Sequence, residues 1–272
     1  MPSTRQKLHR PLPRAIEDRH TALLALLENA AALGVDAVHD IRVSLRRLEE
    51  AARLLPDDPG KSLIKPAFRK VRRACGDIRD ADVMADHLRA APMPPSLTRR
   101  AHALAVRLKA QRPALAAKLR QLLAAKSFAT ALSLLLPATL EYARYAEKSL
   151  QRRAKKRRKS LRHALQLAAD KQTPDALHAA RIAAKKLRYL LELAADTGDK
   201  NARKEAKSLK HLQKIAGQHH DTHVLLARLH KSTDEAAESP SVAKWNHQQQ
   251  RAQTQRAAAF FAAALAWEET FT

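Results

Sequence analysis

Apolar residues recur along the chain at intervals of three and four, which is the spacing of helices that bury one face. Short segments rich in Gly, Pro and Asp interrupt this pattern, at Gly34, at 56–60 and at 91–95. Pro113 falls inside one helical stretch, so we expect a kink or a break there. The predicted helices cover residues 14–33, 36–55, 61–90, 96–125, 127–136, 138–169, 175–196, 200–216, 220–232 and 241–267. The pattern predicts an all-α protein built from long helices.

Two glycines and one threonine give more local expectations. Thr173 precedes a Pro–Asp pair, which predicts an N-terminal helix cap at that position. Gly76 lies within the predicted helix 61–90, and Gly217 lies between the predicted helices 200–216 and 220–232. We expect the chain to bend or break at each of these glycines. Asp80 and Asp221 follow these glycines, so we expect them to cap a helix after the bend or to orient nearby cations.

The sequence also contains an internal repeat. One stretch recurs at a shift of 139 positions, and a second stretch further along recurs at a shift of 141. The first match places His39, Arg42, Arg46 and Arg47 on His178, Arg181, Lys185 and Lys186, and the second places Arg69, Arg73, Gly76 and Asp80 on Lys210, Lys214, Gly217 and Asp221. Two matches in the same order predict two similar helical halves, residues 1–137 and 138–272.

The charge balance points to a class of partner. The 272 residues include 51 Lys or Arg and 27 Asp or Glu, which gives a formal charge of +24. Hydrophobic residues make up 45% of the chain, too many for a disordered basic tail, so the charge belongs to a folded body. Such a field attracts polyanions: nucleic acid, an anionic membrane or a chain of phosphates.

Basic residues lie on one face of each repeated helix, apart from the apolar residues that face the core. Almost no acidic residue shares these stripes, whereas an ordinary surface helix alternates Glu and Lys so that repulsion is relieved. A dense basic block at 152–159 adds further cations. The candidate polyanion-binding residues are His39, Arg42, Arg46, Arg47, Arg69, Arg72, Arg73, Arg79, Arg152, Lys155, Lys156, Lys159, His178, Arg181, Lys185, Lys186, Arg188, Lys207, Lys210 and Lys214. We interpret them as a site that holds several negative charges.

The thirteen histidines raise the alternative of a metal-dependent phosphohydrolase. His39–Asp40 and His220–Asp221 are His–Asp dipeptides, but they occupy different motifs of the two halves and predict no converging set of ligands. The sequence has no Gly-rich phosphate loop, no Ser-His-Asp set and no zinc-type Cys spacing. We therefore predict no enzyme activity, no metal and no cofactor. His39 and His178 are better interpreted as phosphate donors, or as groups that anchor a neighbouring Arg.

Two further features concern the compartment. The single cysteine, Cys75, excludes an internal disulfide and is predicted to be a buried apolar side chain. The N-terminal segment lacks the apolar core of a secretory signal, and the longest apolar stretch, around 127–136, is too short to span a bilayer. We expect an intracellular, soluble protein with no membrane partner.

The repeated motifs resemble those of the CHAD family, the conserved histidine α-helical domain. The resemblance covers nearly the whole chain and rests on VHDIRVSLRRL at 38–48, GDIRDADV at 76–83, LHAARIAAKKLRYLLE at 177–192 and LQKIAGQHHDTHV at 212–224. Some positions depart from the pattern and suggest unequal contributions from the two halves. These departures are Lys185 and Lys186 in place of an Arg pair, Glu49 opposite Arg188, and His223 opposite Asp82.

The resemblance implies a fold and a function. The fold would be two four-helix bundles related by a pseudo-twofold, with the basic helices lining a central groove or pore. The function would be non-catalytic binding of inorganic polyphosphate, in the cytoplasm and on polyphosphate granules. Some relatives are fused to a triphosphate-hydrolysing CYTH domain, but this sequence shows none of its alternating Glu-x-Glu strands, so we expect a stand-alone member.

A nucleic-acid-binding basic helical protein is the alternative. Proteins that bind single strands add aromatic platforms for base stacking, and this chain is only 4% aromatic. Tyr189 is the sole aromatic residue near the basic stripes. This composition favours a phosphate chain over a single-stranded nucleic acid, but it leaves weak, nonspecific binding of duplex nucleic acid open.

Overall fold

The computed structural model of the protein describes residues 10–30, 32–58, 61–231 and 239–271. Within these residues the chain forms helices and no strands, which confirms the predicted all-α class. The helices are α1 Leu12–Glu28, α2 Val35–Ala52, α3 Ile64–Ala90, α4 Pro95–Leu123, α5 Lys126–Glu141, α6 Ala143–Lys171, α7 Pro174–Asp196, α8 Lys200–Lys231 and α9 Pro240–Phe271. Residue 232, where the predicted helix 220–232 ends, lies outside the described residues.

The predicted start of α7 is confirmed by its cap. The helix begins at Pro174, and the Thr173 hydroxyl oxygen accepts a hydrogen bond from the backbone N–H of Ala176 at 3.3 Å. The start of α8 is capped in the same way, because a carboxylate oxygen of Asp199 accepts from the N–H of Ala202 at 2.9 Å. Local side-chain chemistry therefore sets both of these boundaries.

The breaks expected at Gly76 and Gly217 do not occur, and a bend at either glycine stays a prediction. Helix α3 runs without a break through Gly76, and α8 joins the two helices that were predicted on either side of Gly217. A glycine inside a helix costs only about 1 kcal/mol relative to alanine, so apolar packing on both sides of it is enough to keep the helix continuous. Asp80 and Asp221 consequently lie inside helices and do not cap them.

The two prolines inside helices behave alike. Helix α4 continues through Pro113, so the expected break does not occur there. Helix α5 extends through Pro137 to Glu141, whereas the sequence pattern predicted its end at residue 136. Proline removes one backbone donor, and apolar burial on either side of it, for example at Leu135 and Ala138, keeps the helical path.

The chain folds into two compact units. Unit 1 contains residues 1–76, 118–159 and 186–208, and unit 2 contains residues 77–117, 160–185 and 209–272. Each unit therefore takes segments from both sides of residue 137. The division into sequence-similar halves at 137 concerns the internal repeat, and it stays a prediction, as does the pseudo-twofold relation.

Unit 1 has an apolar core crossed by buried ion pairs. Phe68 of α3 and Phe128 of α5 meet edge to face with their ring centroids 6.0 Å apart. The carboxylates of Glu50 and Glu205 are buried and pair with Arg157 and Arg158 of α6. These pairs join α6 to α2 and α8 within the unit, so these two arginines belong to the scaffold.

Unit 2 has its own apolar core, to which α3, α4, α8 and α9 contribute. Trp245 of α9 lies in this core and donates its indole N–H to the carbonyl of Pro92 at 2.7 Å. Asp82 of α3 is buried and accepts from Nε of Arg112 of α4 at 3.0 Å. These contacts fix the α3 segment against its neighbours within unit 2.

In the described part of the chain, no single helix is long and apolar enough to cross a bilayer. Helices α4 and α5 reach the necessary length and apolar composition only when they are taken together, as a bent pair.

Candidate anion-binding sites

In the first copy of the repeated motif, the side chain of Arg42 lies against the helix backbone at Gly76. Arg42 lies on α2, and a Cβ atom built on Gly76 of α3 would lie 3.6 Å from its Nε atom. The guanidinium therefore rests against α3 at the point where a larger side chain would displace it. Gly76 therefore leaves room for this guanidinium against α3.

The second copy makes the same contact in unit 2. Arg181 of α7 lies against Gly217 of α8, and a Cβ atom on that glycine would be 3.9 Å from both Nε and a terminal nitrogen of the guanidinium. Nε of Arg181 is buried and has no hydrogen-bond partner among the described residues. The sequence alignment of Arg42 with Arg181 and of Gly76 with Gly217 therefore corresponds to a shared local geometry.

Arg46, one helical turn after Arg42, lies in a crowded cationic cluster in unit 1. Its guanidinium stands over the ring of Tyr189 with its central carbon 5.4 Å from the ring centroid, and Arg188 stands over the same ring at 4.5 Å. Burial lowers the pKa of Arg46, and the neighbouring guanidiniums of Arg42 and Arg72 lower it further. The fold therefore keeps several positive charges together at a cost that a bound anion would relieve.

Acidic residues do neutralise part of this cluster, contrary to the expectation from the stripes. Arg72 donates from Nε to a carboxylate oxygen of Glu49, which is buried, at 2.8 Å. Glu192 of α7 accepts from Arg47 at 3.2 Å and pairs with Arg188 at 3.1 Å. The pairs Glu49–Arg72 and Glu192–Arg47 join different helices, so the sequence pattern of one helix face does not show these two pairs.

The basic block of α6 divides into two groups. Arg157 and Arg158 are tied to carboxylates of the scaffold, and Arg157 also donates to the backbone carbonyl of Lys186. The candidate binding residues of the block are exposed, and they are Arg152, Lys155, Lys156 and Lys159. The exposed group presents its charge to solvent, where an anion can reach it.

The remaining candidates differ in how far they are buried. Exposed members are Arg69, Arg73, Lys186, Lys207, Lys210 and Lys214, and none of these six has an ion pair with another described residue. Half-buried members are His39, Arg79, His178 and Lys185. Unit 1 contains His39 and the cations of α2, while Arg79, His178, Arg181, Lys185, Lys210 and Lys214 belong to unit 2.

Two histidines of unit 2, His178 and His220, lie close together, and only His178 is among the candidate binding residues. The rings of His178 and His220 lie 4.3 Å apart between centroids, at an interplanar angle of 35°. Burial lowers the pKa of His178, and Arg181 and Lys185 lower it further. Burial also lowers the pKa of His220, to about 4, with His178 and Arg181 adding to the effect. Both rings are therefore neutral at pH 7.

Three residues that shape these sites are not among the predicted binding residues. The ring of Tyr189 makes cation–π contacts with two arginines, and Glu192 forms ion pairs with two arginines. The ring of His220 stacks on that of His178. The four-residue spacing of Arg188 and Glu192 was a signal for their pairing. The stack of His220 on His178 had no such local signal, because the two residues come from different helices.

Among the described residues, no group of three His, Cys, Asp or Glu side chains lies together as a metal ion would require. Cys75 is buried, as predicted, and burial raises the pKa of its thiol to about 12. A thiol of this kind stays protonated and unreactive at neutral pH.

The protein is thus an all-α protein that carries a His–Arg helix motif twice, each copy with an arginine seated on a glycine of the following motif helix. The sequence profile of the CHAD domain matches residues 14–230. The chain belongs to the CHAD domain family, as its motifs indicate.

A solved structure supports the same fold. The chain is similar to the crystal structure of the CHAD domain from the plant Ricinus communis, with 23% sequence identity and a TM-score of 0.61. The similarity covers 94% of this chain and 87% of the plant chain. No curated protein matches this chain.

Proposed function

We propose that the protein binds inorganic polyphosphate, without catalysis, through the cations of its two repeated motifs. The observation that carries this proposal is the arginine seated on glycine, Arg42 on Gly76 and Arg181 on Gly217. Each guanidinium lies against a glycine, where no side chain covers the backbone, and acidic residues neutralise only part of the surrounding positive charge. Such an arrangement costs stability, and an anion with several closely spaced charges offsets that cost.

The chemistry of the side chains suits a chain of phosphates. Arginine can give two parallel hydrogen bonds to one phosphate, and lysine contributes a point charge. Exposed lysines such as Lys207, Lys210 and Lys214 add positive charge that a ligand can reach. Polyphosphate offers one negative charge per unit and no apolar face, so binding would depend on displaced counterions and would weaken steeply with salt.

The low aromatic content separates this proposal from single-stranded nucleic-acid binding. Tyr189 is buried and lies against Arg46 and Arg188, so its ring serves these cations and is not open to a base. The family resemblance also implies polyphosphate as the ligand. We extend the proposal to the cell, where the protein would associate with polyphosphate granules in the cytoplasm.

Competition between polyanions tests the proposal. The full-length protein is saturated with fluorescently labelled long-chain polyphosphate at fixed ionic strength, and unlabelled polyphosphate or duplex DNA is added at equal phosphate concentration. We expect polyphosphate to displace the label at least about tenfold more effectively than DNA, because the flexible chain can follow the cations. Displacement by DNA at the same or lower concentration would favour the nucleic-acid alternative.

Catalysis is tested in a separate assay. The protein is incubated with polyphosphate and either Mg²⁺ or Mn²⁺, and released phosphate is measured. We expect no release above the protein-free control. Metal-dependent release that is lost in His39→Gln or His220→Gln would contradict the non-catalytic proposal.

A further inference from the structure

The stacked histidines of unit 2 lie beside a cation that has an unfilled hydrogen-bonding atom. Nδ1 of His178 and Nε of Arg181 are both buried, and neither has a hydrogen-bond partner among the described residues. The His220 ring covers His178 at 4.3 Å, and both imidazoles are only half-buried. The cluster therefore combines hydrogen-bonding atoms that the fold leaves unused with rings that solvent or a ligand can still reach.

The charges around the pair are mostly positive. Besides burial, Arg181 and Lys185 on the same helix lower the pKa of His178, and Asp175 raises it. His178 and Arg181 likewise add to the effect of burial in lowering the pKa of His220. The remaining groups near the histidines of α8 are Asp221 and His223 of the same helix and Arg256 of α9, which acts on the buried His219. Two acids thus face a larger set of cations and titratable rings, so a proton on either imidazole is disfavoured in the absence of an anion.

We propose that His178, His220 and Arg181 form a proton-linked phosphate site, in which the imidazole pair takes up a proton when phosphate binds. The inference rests on the proposed function and adds its regulation by pH. A phosphate at this cluster supplies the negative charge that the pair lacks, so it favours an imidazolium, which then donates a charged hydrogen bond to the phosphate. Linkage requires the converse, and binding at this site strengthens as the pH falls.

The repeat provides an internal contrast. At the shift of 141 positions, His220 aligns with Arg79. The first copy of the motif therefore has an arginine where the second has a titratable ring. We infer that the two copies differ in pH response, with the proton-linked contribution confined to the His178–His220 pair.

Calorimetry of the full-length protein with long-chain polyphosphate measures this linkage. Interior phosphates of a long chain are fully ionised between pH 5 and 8, so any proton uptake belongs to the protein. Binding at pH 6.0 in two buffers of different ionisation enthalpy gives the number of protons bound. We expect about one proton per protein for the wild type and roughly none for His220→Arg, which places the charge there permanently.

His102→Gln is the matched control, because His102 is an exposed histidine of α4 outside the candidate residues. It should keep the wild-type proton uptake. His178→Gln gives a second variant in case the arginine at 220 disturbs packing, and it should lower both the proton uptake and the gain in affinity between pH 7.5 and 6.0. A folded His220→Arg or His178→Gln with wild-type uptake overturns the inference. Absence of binding at every pH would instead refute the proposed function itself.

Discussion

Two adjacent arginines of α3 differ in burial and pairing, and a pair of substitutions tests whether they also differ in role. Arg72 pairs with Glu49 at 2.8 Å, and the side chains of the two residues are 18% and 5% exposed. Arg73 is exposed and has no ion pair with a described residue. We expect Arg72→Gln to destabilise the fold and to affect binding only as a consequence. We expect Arg73→Gln to leave the fold intact and to weaken binding of polyphosphate.

The magnitude for Arg72 follows from burial. Removal of one partner from a buried ion pair costs about 3–5 kcal/mol, because the other charge stays buried without its partner. Arg46 lies close enough to Glu49 to interact with it electrostatically, so part of the charge is still balanced. We therefore expect a loss near the lower end, about 2–4 kcal/mol, and a fall in Tm of roughly 5–12 °C.

Thermal and denaturant unfolding of the single variants and of Arg72→Gln combined with Glu49→Gln measure this effect. The double variant should recover most of the stability, since it removes both charges. Arg73→Gln should shift the unfolding free energy by less than about 0.5 kcal/mol and reduce affinity for polyphosphate by roughly two- to fivefold. Equal losses of stability from Arg72→Gln and Arg73→Gln would refute this assignment of roles.

Two further predictions concern the glycines and pH. Gly76→Ala and Gly217→Ala should be tolerated or raise the unfolding free energy by up to about 1 kcal/mol, since an added Cβ only touches the guanidinium. Leu at either position should displace the arginine and weaken binding of polyphosphate. Equal affinities of the Ala and Leu variants would contradict this prediction. His178, His219 and His220 have lowered pKa values in the fold, so the unfolded chain takes up protons first and stability should fall as the pH drops below about 6.5. Denaturant unfolding between pH 7.5 and 5.0 measures this slope, which should be smaller in His220→Gln, and an unchanged slope in that variant would contradict the assignment.

Local chemistry made part of the fold predictable. The start of α7 at Pro174 follows from a threonine cap and a proline at the first helical position, and both signals lie within four residues of sequence. The continuity of α8 through Gly217 was not predictable in this way. It depends on apolar packing along both parts of the helix, and residues distant in sequence supply that packing.

The candidate sites show the same limit. The repeat aligns Arg42 with Arg181 and Gly76 with Gly217 in the sequence. In the structure, the arginine of each copy makes a similar contact with the glycine of that copy. The buried acids Glu49 and Glu50 were not visible as partners of Arg72 and Arg157, because a sequence does not show which helices will meet. The two compact units differ from the sequence halves for this reason as well, since each is assembled from distant segments.

Direct titration of long-chain polyphosphate into charge-reversal variants tests the central claim, that defined cations and not net charge bind the ligand. The site variants are Arg42→Glu with Arg46→Glu, and Arg181→Glu with Lys185→Glu; the control is Arg99→Glu with Arg100→Glu, which makes the same charge change at exposed residues of α4. Helicity and Tm are checked first, and the corresponding Gln variants replace any variant that fails to fold. The account predicts a loss of affinity of at least about tenfold in each site variant and less than about threefold in the control. Equal losses in all three, at the same ionic strength, would contradict it.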